Sequence, residues 1–149
     1  MVITERDLIG AWKLLRWEIV YSGGRPTNYP FGEDAHGLIL YAENGWMTAT
    51  MSRIDRTPFS SPSAPKASTQ SKATAADEYL SYGGRWWIEG SNVIHDVSLS
   101  LNPVLIGTRQ IRGVNLSGGQ LELSAQEGDP AGSSSKLHRL LWQKPTEIS

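Results

Sequence analysis

The hydrophobic pattern of the chain consists of short runs in which apolar and polar residues alternate. Alternation with a period of two predicts strands with one face against a core. Turn residues separate the runs, and Asn44-Gly45 is a strong hairpin signal because both residues tolerate positive φ. The predicted strands span residues 12–21, 37–41, 46–52, 85–89, 92–101, 108–116, 120–125 and 136–143.

Two helices interrupt this pattern. Thr4 and Asp7 have the spacing of a capping box, which predicts a short helix over 5–8. An alanine-rich segment predicts an inserted helix near 72–82, ended by two glycines. Residues 54–71, with three prolines and many serines, predict a long loop that is either a lid or a disordered segment. We therefore predict an all-β fold over residues 1–149: one domain, an eight-stranded up-and-down antiparallel barrel that can hold one small ligand.

Alternation also predicts which side chains face the interior. One face of the fifth predicted strand is apolar except for His95 and is predicted to face the interior; its other members are Val93, Val97, Leu99 and Leu101. Alternation along the next predicted strand likewise predicts that Arg112 faces the interior. In the first strand, an inward Trp12 also directs Arg16 and Glu18 inward. The residues then left outside are apolar: Leu15, Trp17, Ile19 and Tyr21.

Two alternatives account for this apolar outer face of the first strand. A bulge after Leu14 would reverse the alternation. Otherwise the inserted helix or a homodimer contact would cover the face. The chain has six tryptophans, a number that predicts either an aromatic cavity or an intersubunit surface.

Charge and motifs exclude several classes of function. The chain has 14 Lys and Arg residues and 15 Asp and Glu residues, and it contains no long run of like charges. We therefore predict neither a nucleic-acid nor a membrane partner. The chain has no cysteine, its N-terminus does not resemble a signal peptide, and no apolar run is long enough for a transmembrane helix; these features predict a cytoplasmic protein. The three histidines are far apart in sequence, and no nucleotide-binding motif is present, so we predict no metal and no cofactor.

An ordered set of short motifs resembles the bacterial and fungal lipocalin-like domain family. It begins with Gly10-Ala11-Trp12 and ends with Leu140-Leu141-Trp142. The intervening motifs are Trp17-Glu18, Gly37-Leu38-Ile39-Leu40-Tyr41, Gly45-Trp46-Met47-Thr48-Ala49, Tyr82-Gly83-Gly84-Arg85-Trp86, His95, Asn102-Pro103, Gly107-Thr108 and Arg112. The resemblance implies a lipocalin-type barrel with an inserted helix, and it implies no single activity. The family tends to place an arginine after the last motif, where this chain has Lys144, so either Lys144 or Arg139 is expected to cover Trp12.

The predicted interior suggests a binding site for a small hydrophobic, oxygenated molecule. His95 and Arg112 are the candidate catalytic residues. His95 is either a general acid or base or a core histidine bonded to a tyrosine, and Arg112 either stabilises an oxyanion or pairs with Glu18. Candidate substrate-binding residues are Glu18, Tyr41, Trp46, Met47, Met51, Tyr82 and Trp86.

We interpret this pattern as a cofactor-independent enzyme. An isomerase, cyclase, dehydratase or hydrolase of polyketide- or terpenoid-like metabolites fits the predicted site. The alternative is a carrier or sensor that binds such a molecule without changing it.

Overall fold

The computed structural model describes residues 2–128 and 135–145. Across these ranges the chain forms eight strands and two α-helices. The helices are α1 (Glu5–Leu8) and α2 (Thr69–Asp77). The strands are β1 (Gly10–Tyr21), β2 (His36–Tyr41), β3 (Trp46–Ser52), β4 (Tyr79–Glu89), β5 (Asn92–Ser100), β6 (Arg109–Ser117), β7 (Gln120–Glu127) and β8 (Lys136–Gln143).

Each strand pairs antiparallel with the next, and β8 pairs with β1, so the sheet closes on itself. This arrangement confirms the predicted eight-stranded antiparallel barrel with a short N-terminal helix and one inserted helix. No helix within 2–128 or 135–145 is long and apolar enough to span a membrane.

The inserted helix differs from its predicted position near 72–82. It begins at Thr69, where Ser68 caps it by accepting a hydrogen bond from the Ser71 amide, and it ends at Asp77. The next residues belong to β4 because their backbone pairs with β3, with Tyr82 opposite Ala49. The prediction that the helix extends to 82 was therefore wrong, since sheet pairing outweighs local helix propensity there.

A bulge in β1 resolves the conflict in the first strand. The pairing of β1 with β8 shifts between Leu14 and Arg16, so Leu15 is the extra residue. Trp12 and Leu14 are buried before the bulge, and Trp17 and Ile19 return to the interior after it. The bulge alternative is confirmed, and the prediction that Arg16 and Glu18 face inward was wrong, because one extra residue reverses every later side chain.

A second bulge lies where β4 pairs with β5. Gly83 lies opposite Leu99 and Gly84 lies opposite Val97, so Ser98 is the extra residue. Leu99 was predicted to be buried, but the bulge turns it outward and leaves it 71% exposed.

The end of the barrel next to α1 is closed by side chains. Leu8 of α1 is fully buried, and the Trp12 indole N–H donates to its carbonyl oxygen over 2.8 Å. The Lys144 ammonium lies 5.2 Å from the centre of the Trp12 ring. Arg139 instead pairs with Glu122 on the outer face, so Lys144 is the residue that covers Trp12.

Candidate functional site

The main cavity lies in the barrel half opposite α1 and has a volume of about 530 Å³. Its wall combines apolar residues with a few polar ones. The lining residues are Trp17, Met51, Leu80, Tyr82, Asn102, Leu105, Arg109, Gln110, Ile111, Arg112, Ala125, Gln126, Glu127, His138 and Leu140. A concave, mixed surface of this size is typical of sites for small molecules.

A buried chain of three side chains connects the closed end of the barrel to this cavity. The Tyr41 hydroxyl lies 2.7 Å from His95 Nε2, and the Tyr82 hydroxyl lies 2.7 Å from His95 Nδ1. Tyr41 also packs its ring on Trp86, with the ring centres 4.7 Å apart. Tyr41 and His95 are 1% exposed, whereas Tyr82 is 8% exposed and lines the cavity. Tyr82 is therefore the member of the chain that a ligand can reach.

Burial keeps all three members of the chain uncharged at neutral pH. Burial, and to a smaller extent the positive charge of Arg112, lower the pKa of His95 to about 3. Burial raises the pKa of Tyr41 well above its ordinary value and also raises the pKa of Tyr82, while Arg112 opposes both shifts. The chain consequently consists of a neutral imidazole between two neutral phenols.

Arg112 lies on the same wall and is held by neighbours in β6. It donates to the side-chain oxygen of Gln110 over 3.1 Å and to the carbonyl oxygen of Ile111 over 3.0 Å. Gln110 is fixed in turn, because its amide N–H donates to the Thr108 hydroxyl, which donates to the Leu105 carbonyl oxygen. Five N–H groups belong to a guanidinium, so this anchoring leaves donors for a ligand.

His138, Trp17 and Glu127 form a second polar group on the cavity wall. The Trp17 indole N–H donates to His138 Nδ1 over 3.2 Å, so Nε2 carries the proton of the neutral ring. His138 Nε2 lies 3.1 Å from Glu127 Oε1, although these two atoms are poorly aligned for a hydrogen bond. Burial lowers the pKa of His138, while Glu127 opposes that shift.

The sequence of residues 9–145 matches the family described as a lipocalin-like domain. The chain belongs to this family. No curated protein matches the chain. The lipocalin-like barrel suggests binding of a small hydrophobic ligand, and the family match assigns no reaction.

The lipocalin-like barrel brings several of the predicted site residues together. Arg112, Tyr82 and Met51 line the cavity, and His95 and Tyr41 reach it through Tyr82. His95 has the core arrangement that was one of its two alternatives, with a tyrosine on each ring nitrogen.

Two predicted residues lie below the cavity, towards α1. Met47 is buried in the core, and Trp86 donates its indole N–H to the Ala42 carbonyl oxygen over 2.9 Å. Both support Tyr41 from below, since Tyr41 pairs with Met47 across the sheet and packs on Trp86.

The side chains of two other predicted residues lie on the outer surface of the lipocalin-like barrel. Trp46 is 50% exposed, with the Arg85 guanidinium 5.6 Å from its ring centre. Glu18 pairs with Arg16 and Arg139 in an outer cleft. The alternative in which Glu18 pairs with Arg112 was therefore wrong, because the β1 bulge places their side chains on opposite sides of the sheet.

Sequence reasoning did not select His138 or Trp17. A signal for His138 was present, since it lies four residues before the buried Trp142 in uninterrupted alternation along β8. The signal for Trp17 was its place in the apolar outer row of the first strand, which fitted a bulge after Leu14 and a covered outer face equally well.

Proposed function

We propose that the protein binds a small, largely apolar molecule in the barrel cavity and holds one of its oxygen atoms against Tyr82 and Arg112. The observation that carries this proposal is the buried Tyr41–His95–Tyr82 chain, which ends on the cavity wall beside Arg112. The charge of Arg112 acts on the Tyr82 hydroxyl, so both groups influence the same region of the cavity. Apolar neighbours such as Leu80, Leu105 and Leu140 would contact the rest of the molecule.

The same arrangement supports cofactor-independent catalysis as the finer proposal. Tyr82 and Arg112 would stabilise negative charge that develops on a carbonyl oxygen, as in enolate formation. The Glu127 carboxylate, on the wall beside His138, is a candidate proton acceptor. Isomerisation, aldol-type cyclisation, elimination of water next to a carbonyl group, or hydrolysis of a polyketide- or terpenoid-like carbonyl compound develops such a charge.

His95 enters this reaction only through Tyr82. Both of its ring nitrogens are occupied by tyrosine hydroxyls, and its side chain is 1% exposed. We therefore assign His95 a positioning role instead of direct proton exchange with the substrate.

Binding can be tested with 2-acetylnaphthalene, an apolar ketone, by isothermal titration calorimetry. We expect binding to the native chain and about tenfold weaker binding to Arg112→Met, because a hydrogen bond from a charged donor is lost. Arg16→Met is the matched control, since Arg16 pairs with Glu18 on the outer face. Equal weakening in both variants, or no binding to the native chain, would contradict the proposal.

The same probe separates an enzyme from a carrier or sensor. Proton abstraction next to the ketone exchanges the methyl hydrogens of 2-acetylnaphthalene with D₂O, and mass spectrometry measures this exchange. An enzyme is expected to accelerate the exchange, and Arg112→Met is expected to remove most of the acceleration. A ketone that binds but exchanges at the rate found without protein favours the carrier or sensor.

A further inference from the structure

We infer that the Tyr41–His95–Tyr82 chain has one direction and that it makes Tyr82 a hydrogen-bond donor to the ligand. Tyr41 donates to His95 Nε2, His95 Nδ1–H donates to the Tyr82 oxygen, and the Tyr82 hydroxyl hydrogen is left for the cavity. Tyr41 is then a positioning residue that acts on a ligand it does not touch. The inference rests on the proposed function and specifies its ligand as a molecule with an acceptor oxygen.

The direction follows from where the two hydroxyl groups lie. Tyr41 is 1% exposed, and among residues 2–128 and 135–145 its hydroxyl has His95 Nε2 as its only hydrogen-bond partner. If His95 carried its proton on Nε2, the Tyr41 hydrogen would have no acceptor among the described residues. Leaving a buried donor unpaired disfavours that arrangement by roughly 5- to 150-fold.

The opposite end of the chain has no such restriction. Tyr82 is 8% exposed and lines the cavity, so its hydrogen can be donated to whatever the cavity contains. With the proton on His95 Nδ1, the buried donors of Tyr41 and His95 are both paired. In the reversed arrangement the Tyr41 hydroxyl is left unpaired.

A charged His95 would also break this order. An imidazolium donates from both nitrogens, so both tyrosines would become acceptors and the Tyr41 hydrogen would again be unpaired. Burial and the charge of Arg112 hold the pKa of His95 near 3, so the ring stays neutral and keeps one donor and one acceptor.

The direction of the chain limits the chemistry of the ligand. Tyr82 and Arg112 both present donors to the cavity, and the Arg112 donors used within β6 are those to Gln110 and Ile111. An oxygen with two lone pairs can accept from both groups, as a ketone, an ester or a carboxylate does. A hydrocarbon of the same shape leaves both donors without a partner, which is a large loss in a buried site.

The direction can be measured without any ligand. Nuclear magnetic resonance of the ¹⁵N-histidine-labelled chain distinguishes the two imidazole tautomers, and His95→Gln identifies the His95 signals. We expect a single Nδ1–H tautomer in the native chain. In Tyr41→Phe the constraint is removed, so we expect both tautomers, whereas the control Tyr29→Phe should leave the spectrum of His95 unchanged. An Nε2–H tautomer in the native chain would overturn the inference.

Ligand selection is measured with 2-acetylnaphthalene and 2-isopropenylnaphthalene, which replaces the ketone oxygen with carbon. We expect the native chain to bind the ketone about tenfold more tightly than the hydrocarbon. Tyr82→Phe should remove most of this preference, Tyr41→Phe should give an intermediate value, and Tyr29→Phe should preserve it. Equal binding of the two probes by the native protein would overturn the donor role of Tyr82, and it would leave only the binding of an apolar molecule from the proposed function. If neither probe binds, the proposed function fails. The His95 tautomer measured by nuclear magnetic resonance then still tests the direction of the Tyr41–His95–Tyr82 hydrogen bonds.

Discussion

At the scale of single residues, His95 couples the cavity to the stability of the fold. Its imidazole is neutral in the folded chain because burial and Arg112 disfavour its charged form. In the unfolded chain the same ring has the ordinary pKa of about 6.5. Between pH 6.5 and about 3 the unfolded chain therefore binds one more proton at this residue than the folded chain does.

This difference predicts acid sensitivity with a defined sign. The unfolded state gains the proton as the pH falls, so the free energy of unfolding decreases on acidification. The contribution of neutral His95 to this free energy is fully present only above about pH 6.5. His95 alone should lower the free energy of unfolding by about 2 kcal/mol between pH 7 and pH 5. Urea denaturation at a series of pH values measures this loss.

His95→Gln is the matched control for that measurement. Glutamine can accept from one tyrosine and donate to the other, but it does not titrate. The loss between pH 7 and pH 5 should be smaller by about 2 kcal/mol in this variant, since His36 and His138 remain in both proteins. Identical losses in the two proteins would show that His95 is not the group responsible.

At the scale of the elements, two bulges decide which side chains reach the cavity. The β4–β5 bulge requires close approach of the strands, since a Cβ at Gly84 would overlap the backbone oxygen of Asp96. Tyr82 lies two residues before this contact, on the same strand, and His95 is the neighbour of Asp96 on the other strand. The glycine thus sets the distance between the two strands that carry the hydrogen-bonded pair.

Gly84→Ala should therefore damage both the barrel and the site. We expect a loss of at least about 1–3 kcal/mol in the free energy of unfolding, because backbone atoms must move to relieve the overlap. Ser98→Ala tests the same bulge without this clash, since Ser98 is exposed, and it should change stability by less than about 0.5 kcal/mol. Comparable losses in the two variants, measured by chemical denaturation, would contradict the role assigned to Gly84.

The bulges also explain how much the sequence could predict. Uninterrupted alternation suffices to orient His95 and Arg112, since Val93, His95 and Val97 are all buried on one side of the Ser98 bulge. The number and order of the strands were likewise readable from the alternating runs and their turns. The inward direction of Trp17 was one of two alternatives that the apolar row of the first strand left open, and no local pattern indicated the exposure of Leu99, because a bulge depends on pairing between distant strands.

At the scale of the whole molecule, the barrel is closed at the end with α1, and α2 lies near the other end. A side cavity of about 410 Å³ separates the end of α2 from the loop that follows β5. It shares Leu80, Asn102 and Leu105 with the main cavity, so the two spaces adjoin. We therefore expect a ligand to enter between α2 and this loop, and the segment predicted to act as a lid continues into α2.

Arg56 contacts both α2 and the start of β4 at this end of the barrel. It donates to the Ala75 carbonyl oxygen over 3.1 Å, lies 3.8 Å from the Glu78 carboxylate and places its guanidinium 5.1 Å from the Tyr79 ring centre. α2 buries none of its residues, so these contacts carry much of its attachment. Few buried contacts are typical of segments that open locally at low free-energy cost.

Arg56→Ala should consequently loosen α2 without unfolding the barrel. We expect the amides of residues 69–78 to exchange with D₂O about 3- to 10-fold faster, and bound 2-acetylnaphthalene to dissociate faster, while exchange in β7 stays unchanged. Arg53→Ala is the control, because Arg53 lies at the same end but contacts Pro30 and Asp55 with its side chain. If Arg53→Ala accelerates exchange in α2 as much as Arg56→Ala does, the attachment is not specific to Arg56. If α2 exchanges faster but dissociation of the ketone does not, ligand passage does not depend on α2.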